Sequence, residues 1–270
     1  MRSVFTIRKL DKTFVRERNG RLHETEALRE VALEIAEGEF VCLLGPSGCG
    51  KTTLLQIMAG LEFPTGGTIE YRGQPILGPD TSRGFIFQRF NLFPWLTALE
   101  NVKFGLRLKG LPQMEQNRTA LEKLRMVRLV AFKDHYPREL SGGMQQRVSL
   151  ARTLAIEPDV YLMDEPFGSL DAQTRRQMQQ ELIALWQETE LRTKTIVFVT
   201  HDITEAVLLG DRIVLLTARP GTVKEIVRVD VPRPRDPFDP QLVALARTIV
   251  TNIQEEIDKA LREELEARTD

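Results

Sequence analysis

Short apolar runs alternate along this chain with segments whose apolar positions recur at helical spacing. The runs "EFVCLLG", "VYLMDE", "TIVFVTHD" and "RIVLLTA" are too short for buried helices and predict strands covered on both sides. Val4 to Phe14 and Ala27 to Ile35 also read as strands. They are joined by a polar excursion, "RERNGRLHET", whose Asn19-Gly20 is a hairpin turn signal. "GGTIEYRG" and "RGFIFQ" predict further strands, the second closed by Gln88. Helical spacing appears in "KTTLLQIMAGL", in "LENVKFGLRLKG" and "RTALEKLRMVRLV", and in the amphipathic run from Arg175 to Trp186.

This order predicts an α/β fold: a mostly parallel sheet with helices on both faces, an antiparallel β N-terminal part, and a helical subdomain inserted at about residues 97–155. The main domain is expected over residues 1–231. Residues 232–270 read as a linker broken by Pro232, Pro234, Pro237 and Pro240, then a helix. Leu245, Ile249, Ile253, Ile257, Leu261 and Leu265 recur every fourth residue there, so they should share one packed or partner-facing stripe.

Composition adds exclusions. Of 270 residues, 42% are hydrophobic and 28% charged, which suits a globular chain with a sizeable core. A formal net charge of −1 and the lack of a basic stripe argue against nucleic acid as partner. Cys42 and Cys49 sit within or beside one short apolar run, a poor arrangement for a disulfide and a fit to a reducing compartment. No apolar run approaches the roughly 18–20 residues of a membrane span, and the N-terminus lacks a signal peptide's apolar block. Work at a membrane would therefore need a span supplied by another chain.

The chemistry begins at Gly45-Pro46-Ser47-Gly48-Cys49-Gly50-Lys51-Thr52, which matches G-x-x-x-x-G-K-[ST] between a strand and a helix. Such glycines let backbone N–H groups converge on phosphate oxygens at a helix N-terminus. Lys51 can reach the outer phosphates and Thr52 can offer a hydroxyl to Mg²⁺, so the stretch predicts binding of a nucleoside triphosphate. Cys49 lies beside Lys51 near that helix start, an environment expected to favour thiolate, with alkylation inactivating the protein and ATP protecting it. Asp164 and Glu165 end the run "VYLMDE", where Asp164 can hold Mg²⁺ and Glu165 can polarise an attacking water. His201 ends "TIVFVTH" and could donate to a γ-phosphate, while Gln88 could reach the metal or its water.

A second anion signature follows. Met144, Val148, Ala151 and Ala155 repeat at helical spacing, so a helix should begin just after Ser141-Gly142-Gly143, with the serine near its N-cap. "LSGGMQQR", placed between the phosphate loop and "VYLMDE", resembles the signature of the ABC ATPase family. The family's order of motifs is matched by Gly45 to Thr52, Gln88, Leu140 to Gln145, Asp164-Glu165, Ser169 to Ala172 and His201. The resemblance implies a head-to-tail dimer of two copies with two ATP molecules between them. Each site would combine Lys51 and Glu165 of one copy with Ser141, Gly142, Gly143 and Gln145 of the other, with Asp171 crossing between. It also implies Thr53 in the nucleotide site, and Phe14 where the family stacks an aromatic on adenine. Departures are Met144 in place of the commoner glutamine, Phe14 in place of tyrosine, and the lengthened hairpin.

"LFPWLTALENVKFGL", "DEPFGSLDAQTR", "LWQET" and "LLTARPGTV" are similar to the ATPase subunits of bacterial nitrate, sulfonate, taurine and bicarbonate importers. That likeness implies a subunit at the cytoplasmic face of the bacterial plasma membrane, serving permease subunits and, indirectly, a solute-binding protein. The permease would dock near Asn91 to Thr97, where Phe93, Pro94 and Trp95 are apolar and surface-prone. The competing class is a soluble ABC ATPase of DNA repair or translation. Only about ninety residues separate the two phosphate signatures, too few for the coiled coil of the first, and the chain has one cassette where the second carries two.

Overall fold

The computed structural model describes residues 2–18, 20–168, 170–188 and 194–266. Backbone contacts divide the chain into two compact units, Met1–Pro79 with Thr195–Asp270, and Asp80–Lys194.

The first unit opens with β1 (Ser3–Arg18) and β2 (Arg21–Ala36), then β3 (Phe40–Leu44), α1 (Lys51–Ala59), β4 (Gly66–Tyr71) and β5 (Gln74–Pro75). The polar excursion expected between the first two strands is part of them, because the ladder runs on through Arg16↔His23 and Glu17↔Leu22 to Arg18↔Arg21. Charged side chains are tolerated there because the tip faces solvent, with Val15 and Leu22 56% and 72% exposed. Gly20, at φ 73, closes the turn; Asn19 lies outside the described residues. The expected antiparallel part is the sheet ordered β2-β1-β4-β5.

The unit continues with β8 (Thr195–Thr200), α6 (Ile203–Leu209), β9 (Arg212–Leu216), β10 (Val223–Arg228) and α7 (Pro240–Glu266). β3 runs parallel to both β8 and β9, while β10 adds antiparallel to β9. Every residue of β3 and β8 is buried, which is why each reads as an unbroken apolar run. The short α6 and the polar-faced β10 had no predicted counterpart, since neither carries a clear apolar period. On α7, Leu242, Ile249 and Ile253 are buried and Leu245 only partly, so the packed face enters one turn earlier than the predicted stripe. The side chains of Ile257, Leu261 and Leu265 lie outside the described residues.

The second unit holds β6 (Arg83–Ile86), α2 (Ala98–Leu108), α3 (Gln113–Met126), α4 (Gly142–Ala155), β7 (Val160–Asp164) and α5 (Ala172–Glu188). The three helices α2, α3 and α4 pack on one another around Val102, Leu106, Ala120, Leu124, Val148 and Ala151, as the inserted helical pattern predicts. Thr97 and Glu100 start α2 with a reciprocal capping box, the Glu100 N–H donating to Thr97 Oγ1 at 3.3 Å and the Thr97 N–H to Glu100 Oε2 at 3.2 Å. β6 pairs parallel to β7. It ends at Ile86, so Gln88 stands two residues past the strand it was expected to close. Among the described residues, no helix is long and apolar enough to cross a membrane.

Candidate nucleotide site

In the first unit, β3 delivers the chain directly into Gly45 to Gly50, and α1 starts at Lys51. Gly48 and Gly50 take φ 76 and 94, a region open to glycine at little cost. Close approach matters as much as φ: a Cβ at Gly50 would stand 2.6 Å from Leu28 Cδ2, and one at Gly45 2.8 Å from Cys49 Sγ. Among the described residues, α1 has no side-chain cap, whereas α4 and α6 are capped by Ser141 and Asp202. Its first-turn N–H groups therefore suit an external anion. Lys51 is buried, and its ammonium donates to the carbonyls of Gly45 at 2.7 Å and Pro46 at 2.8 Å, which holds the cation inside the curve of the loop. Ser47 and Thr52 are exposed and Thr53 is half-buried. Leu44 pairs with Thr200 on β8, so His201, exposed and next in sequence, emerges at the same sheet edge as Gly45. Phe14 lies on β1, half-buried, with the Lys12 ammonium 4.8 Å from its ring centre.

The expectation for Cys49 is corrected. Its side chain is fully buried, and burial pushes the thiol above its ordinary value of 9.0; the nearby Lys51 charge only partly offsets this. Proximity to a helix start and a cation was legible in the sequence, but the apolar packing that outweighs them was not. Cys42, on β3, is likewise buried and its thiol is pushed up by burial; both cysteines are free.

In the second unit, Gln88 Nε2 donates to Glu165 Oε2 at 3.2 Å. Asp164 ends β7 and is buried, while Glu165 takes φ 41, which costs a non-glycine residue about 1–3 kcal/mol and marks a turn fixed by its surroundings. Ser141 is the N-cap of α4, as expected, its Oγ accepting the Met144 N–H at 3.3 Å, but the helix starts at Gly142, two residues before the predicted start after Gly143. Ser141 and Gly142 are exposed, and Gly143 is pressed against α5: a Cβ there would stand 2.7 Å from Thr174 Cγ2. Gln145 Nε2 donates back to the Leu140 carbonyl at 3.1 Å. Asp171 starts α5 by accepting the N–H groups of Thr174 and Gln173, contacts that lower its carboxyl below the ordinary range. Ser169 lies outside the described residues.

Two residues that shape these regions had no motif to announce them. Asn101, fully buried on α2, accepts the Phe93 N–H at 2.8 Å and donates to the carbonyls of Phe93, Leu96 and Thr97 at 3.2, 3.0 and 3.0 Å. It thereby ties down the 91–97 segment, where Phe93 packs 4.4 Å from the ring of Phe104 and Trp95 stays 70% exposed. Arg219, after β9, donates from Nε to the Gly48 carbonyl at 3.2 Å.

A glycine loop opening an uncapped helix at the end of a parallel strand, with a buried lysine inside it, defines a P-loop nucleotide-binding protein. The comparisons narrow the class. Residues 28–168 match the family described as ABC transporter. A nitrate import ATP-binding protein of Synechocystis is 47% identical over 223 residues, covering 83% of this chain and 81% of the relative. An aliphatic sulfonates import ATP-binding protein of Bacillus subtilis is 42% identical over 253 residues, 94% of this chain and 95% of that one. Among solved structures, an ATP-binding cassette determined as a dimeric post-hydrolysis state bound to ADP and Pi superposes with a TM-score of 0.73 at 38% identity, covering 84% of this chain and all of that one. The chain belongs to the ABC transporter family, as its ATP-binding and ATP-hydrolysing component.

Proposed function

We propose that this chain powers a bacterial importer of a small anion or sulfonate-type solute, two copies sandwiching two ATP molecules head to tail. The observation that carries this reading is that one chain bears two glycine-bearing helix starts with solvent-exposed residues, the glycine loop before α1 and Ser141 with Gly142 and Gly143 at the first turn of α4. A single copy needs only the first for its own nucleotide. An anion between two helix N-termini joins the copies, and hydrolysis removes the anion that joins them.

In this reading the loop residues Gly45, Pro46, Ser47, Gly48, Cys49 and Gly50, with Lys51, Thr52 and Thr53, bind the phosphates, and Phe14 faces the adenine. Ser141, Gly142, Gly143 and Gln145 meet the other copy's nucleotide, and Asp171 reaches across. Glu165 is the base that takes a proton from the attacking water, Gln88 orients that water, and His201 donates toward the γ-phosphate. Mg²⁺ would be held by Thr52, Gln88 and Asp164 together with phosphate oxygens, and when bound it neutralises charge developing on the leaving group.

The solute class is supported by the names of the nitrate and sulfonate relatives. Docking of a permease near Asn91 to Thr97 is supported by the exposed Trp95 on a segment fastened by Asn101. Such a subunit would sit at the cytoplasmic face of the plasma membrane. Purification of the chain from native membranes in mild detergent, with its companions identified by mass spectrometry, tests the reading. A multispan permease and a solute-binding protein are the expected companions. Recovery without any membrane partner would overturn the importer assignment while leaving the ATPase.

A further inference from the structure

The turn between β9 and β10, residues 217–222, touches the phosphate loop on one side and the C-terminal helix on the other. Beyond the Arg219 bond to Gly48, Arg219 Nη2 lies 3.0 Å from where a Gly48 Cβ would stand. Gly221 is packed so closely that a Cβ on it would stand 2.0 Å from the Cys49 carbonyl oxygen. Its N–H donates to the Ala27 carbonyl at 2.9 Å and its carbonyl accepts the Arg29 N–H at 3.1 Å, which fastens the turn to β2. Thr217 Oγ1 braces the turn from within, accepting the Thr222 N–H at 2.9 Å. From the far side, Glu256 on α7 accepts the Ala218 N–H at 2.9 Å. That carboxylate is in turn held by Lys224 Nζ at 2.9 Å, and the same ammonium donates to the Asn252 carbonyl at 2.8 Å.

We propose that Arg219 is a positioning residue for nucleotide binding, and that α7 sets its place through Glu256. Gly48, at φ 76, has the backbone freedom to let the following peptide flip. Because that peptide is planar and trans, the Gly48 carbonyl and the Cys49 N–H point in opposite directions. The Cys49 N–H reaches the Pro46 carbonyl at 3.4 Å, closing the tight turn of the loop. A guanidinium on the Gly48 carbonyl holds that oxygen outward and so preserves the turn. A flipped peptide would break it and present a carbonyl oxygen to an anion. Arg219 is exposed, so its charge carries no burial cost, and its aim depends on the turn that Glu256 anchors. The inference rests on reading Gly45 to Thr52 as the nucleotide's phosphate loop.

The test measures ADP affinity by calorimetry, together with steady-state ATP hydrolysis, on the full-length chain and three variants, Arg219→Ala, Arg219→Lys and Glu256→Gln. Arg219→Ala should raise both the Kd for ADP and the KM for ATP about tenfold while kcat stays within about twofold, as loss of a charged hydrogen bond that acts on binding predicts. Arg219→Lys keeps the charge without the Nε donor and should recover part of the affinity. Glu256→Gln should shift Kd and KM in the same direction by about threefold. Unchanged Kd and KM in Arg219→Ala would overturn the proposal, and unchanged values in Glu256→Gln alone would overturn the part assigned to α7. Failure of the unmodified chain to bind ADP would instead overturn the nucleotide reading beneath it.

Discussion

Gln88 and Glu165 stand side by side because their strands run parallel in matched register. Ile86 pairs with Met163, and Gln88 and Glu165 each lie two positions further on, which brings Gln88 Nε2 within 3.2 Å of Glu165 Oε2. A carboxylate that accepts an amide N–H is held in one orientation, which a general base needs before it can take a proton from water. Glu165→Gln should accordingly retain nucleotide affinity and lower ATP hydrolysis by about a hundredfold or more. In gel filtration with ATP it should elute as a stable dimer. A variant with undiminished turnover would remove Glu165 from the chemistry, and a monomer in ATP would argue against the sandwich.

Lys51→Ala removes the cation from the curve of the loop and leaves the Gly45 and Pro46 carbonyls without their donor. Two effects are expected: a loss of stability of about 1–3 kcal/mol in urea titration, from buried acceptors losing their partner, and disappearance of the rise in Tm that ATP gives the unmodified chain. A variant still stabilised by ATP to the same extent would show that Lys51 does not contribute to binding.

The buried thiols make a prediction about pH. Burial raises Cys49 and Cys42 above their ordinary value of 9.0, so the folded chain keeps them protonated where the unfolded chain would already ionise. The unfolded state then binds fewer protons, and stability, fully present below about pH 9, should fall as pH climbs beyond it. Iodoacetamide at pH 7 should label the native chain slowly and with little dependence on ATP, and label both cysteines once urea unfolds it. Fast labelling of Cys49 in the native chain, blocked by ATP, would restore the activated thiolate.

Asn101→Ala should lower stability by about 2–3 kcal/mol, since several backbone groups of the 91–97 segment lose their buried partner together. Trp95→Ala should leave stability and the basal ATPase of the isolated chain unchanged, because the ring is 70% exposed, yet weaken co-purification with the proposed permease. Equal recovery of the permease with the Trp95 variant would move the docking surface elsewhere.

Sequence alone determined what is written in contiguous residues. The glycine loop, the serine that caps α4 and the fully buried strands each depend on neighbours a few positions away, and backbone chemistry enforces them whatever surrounds them. The continuation of β1 and β2 through a polar tip was not legible, because cross-strand pairing rather than apolar alternation sustains it. Tertiary structure alone decided the rest: that Cys49 is sealed rather than activated, that Asn101 fastens a segment eight residues behind it, and that Arg219 reaches Gly48 across 171 positions. Burial and long-range hydrogen bonds are properties of how distant elements pack, and a chain read residue by residue carries the donors and acceptors without saying which of them will meet.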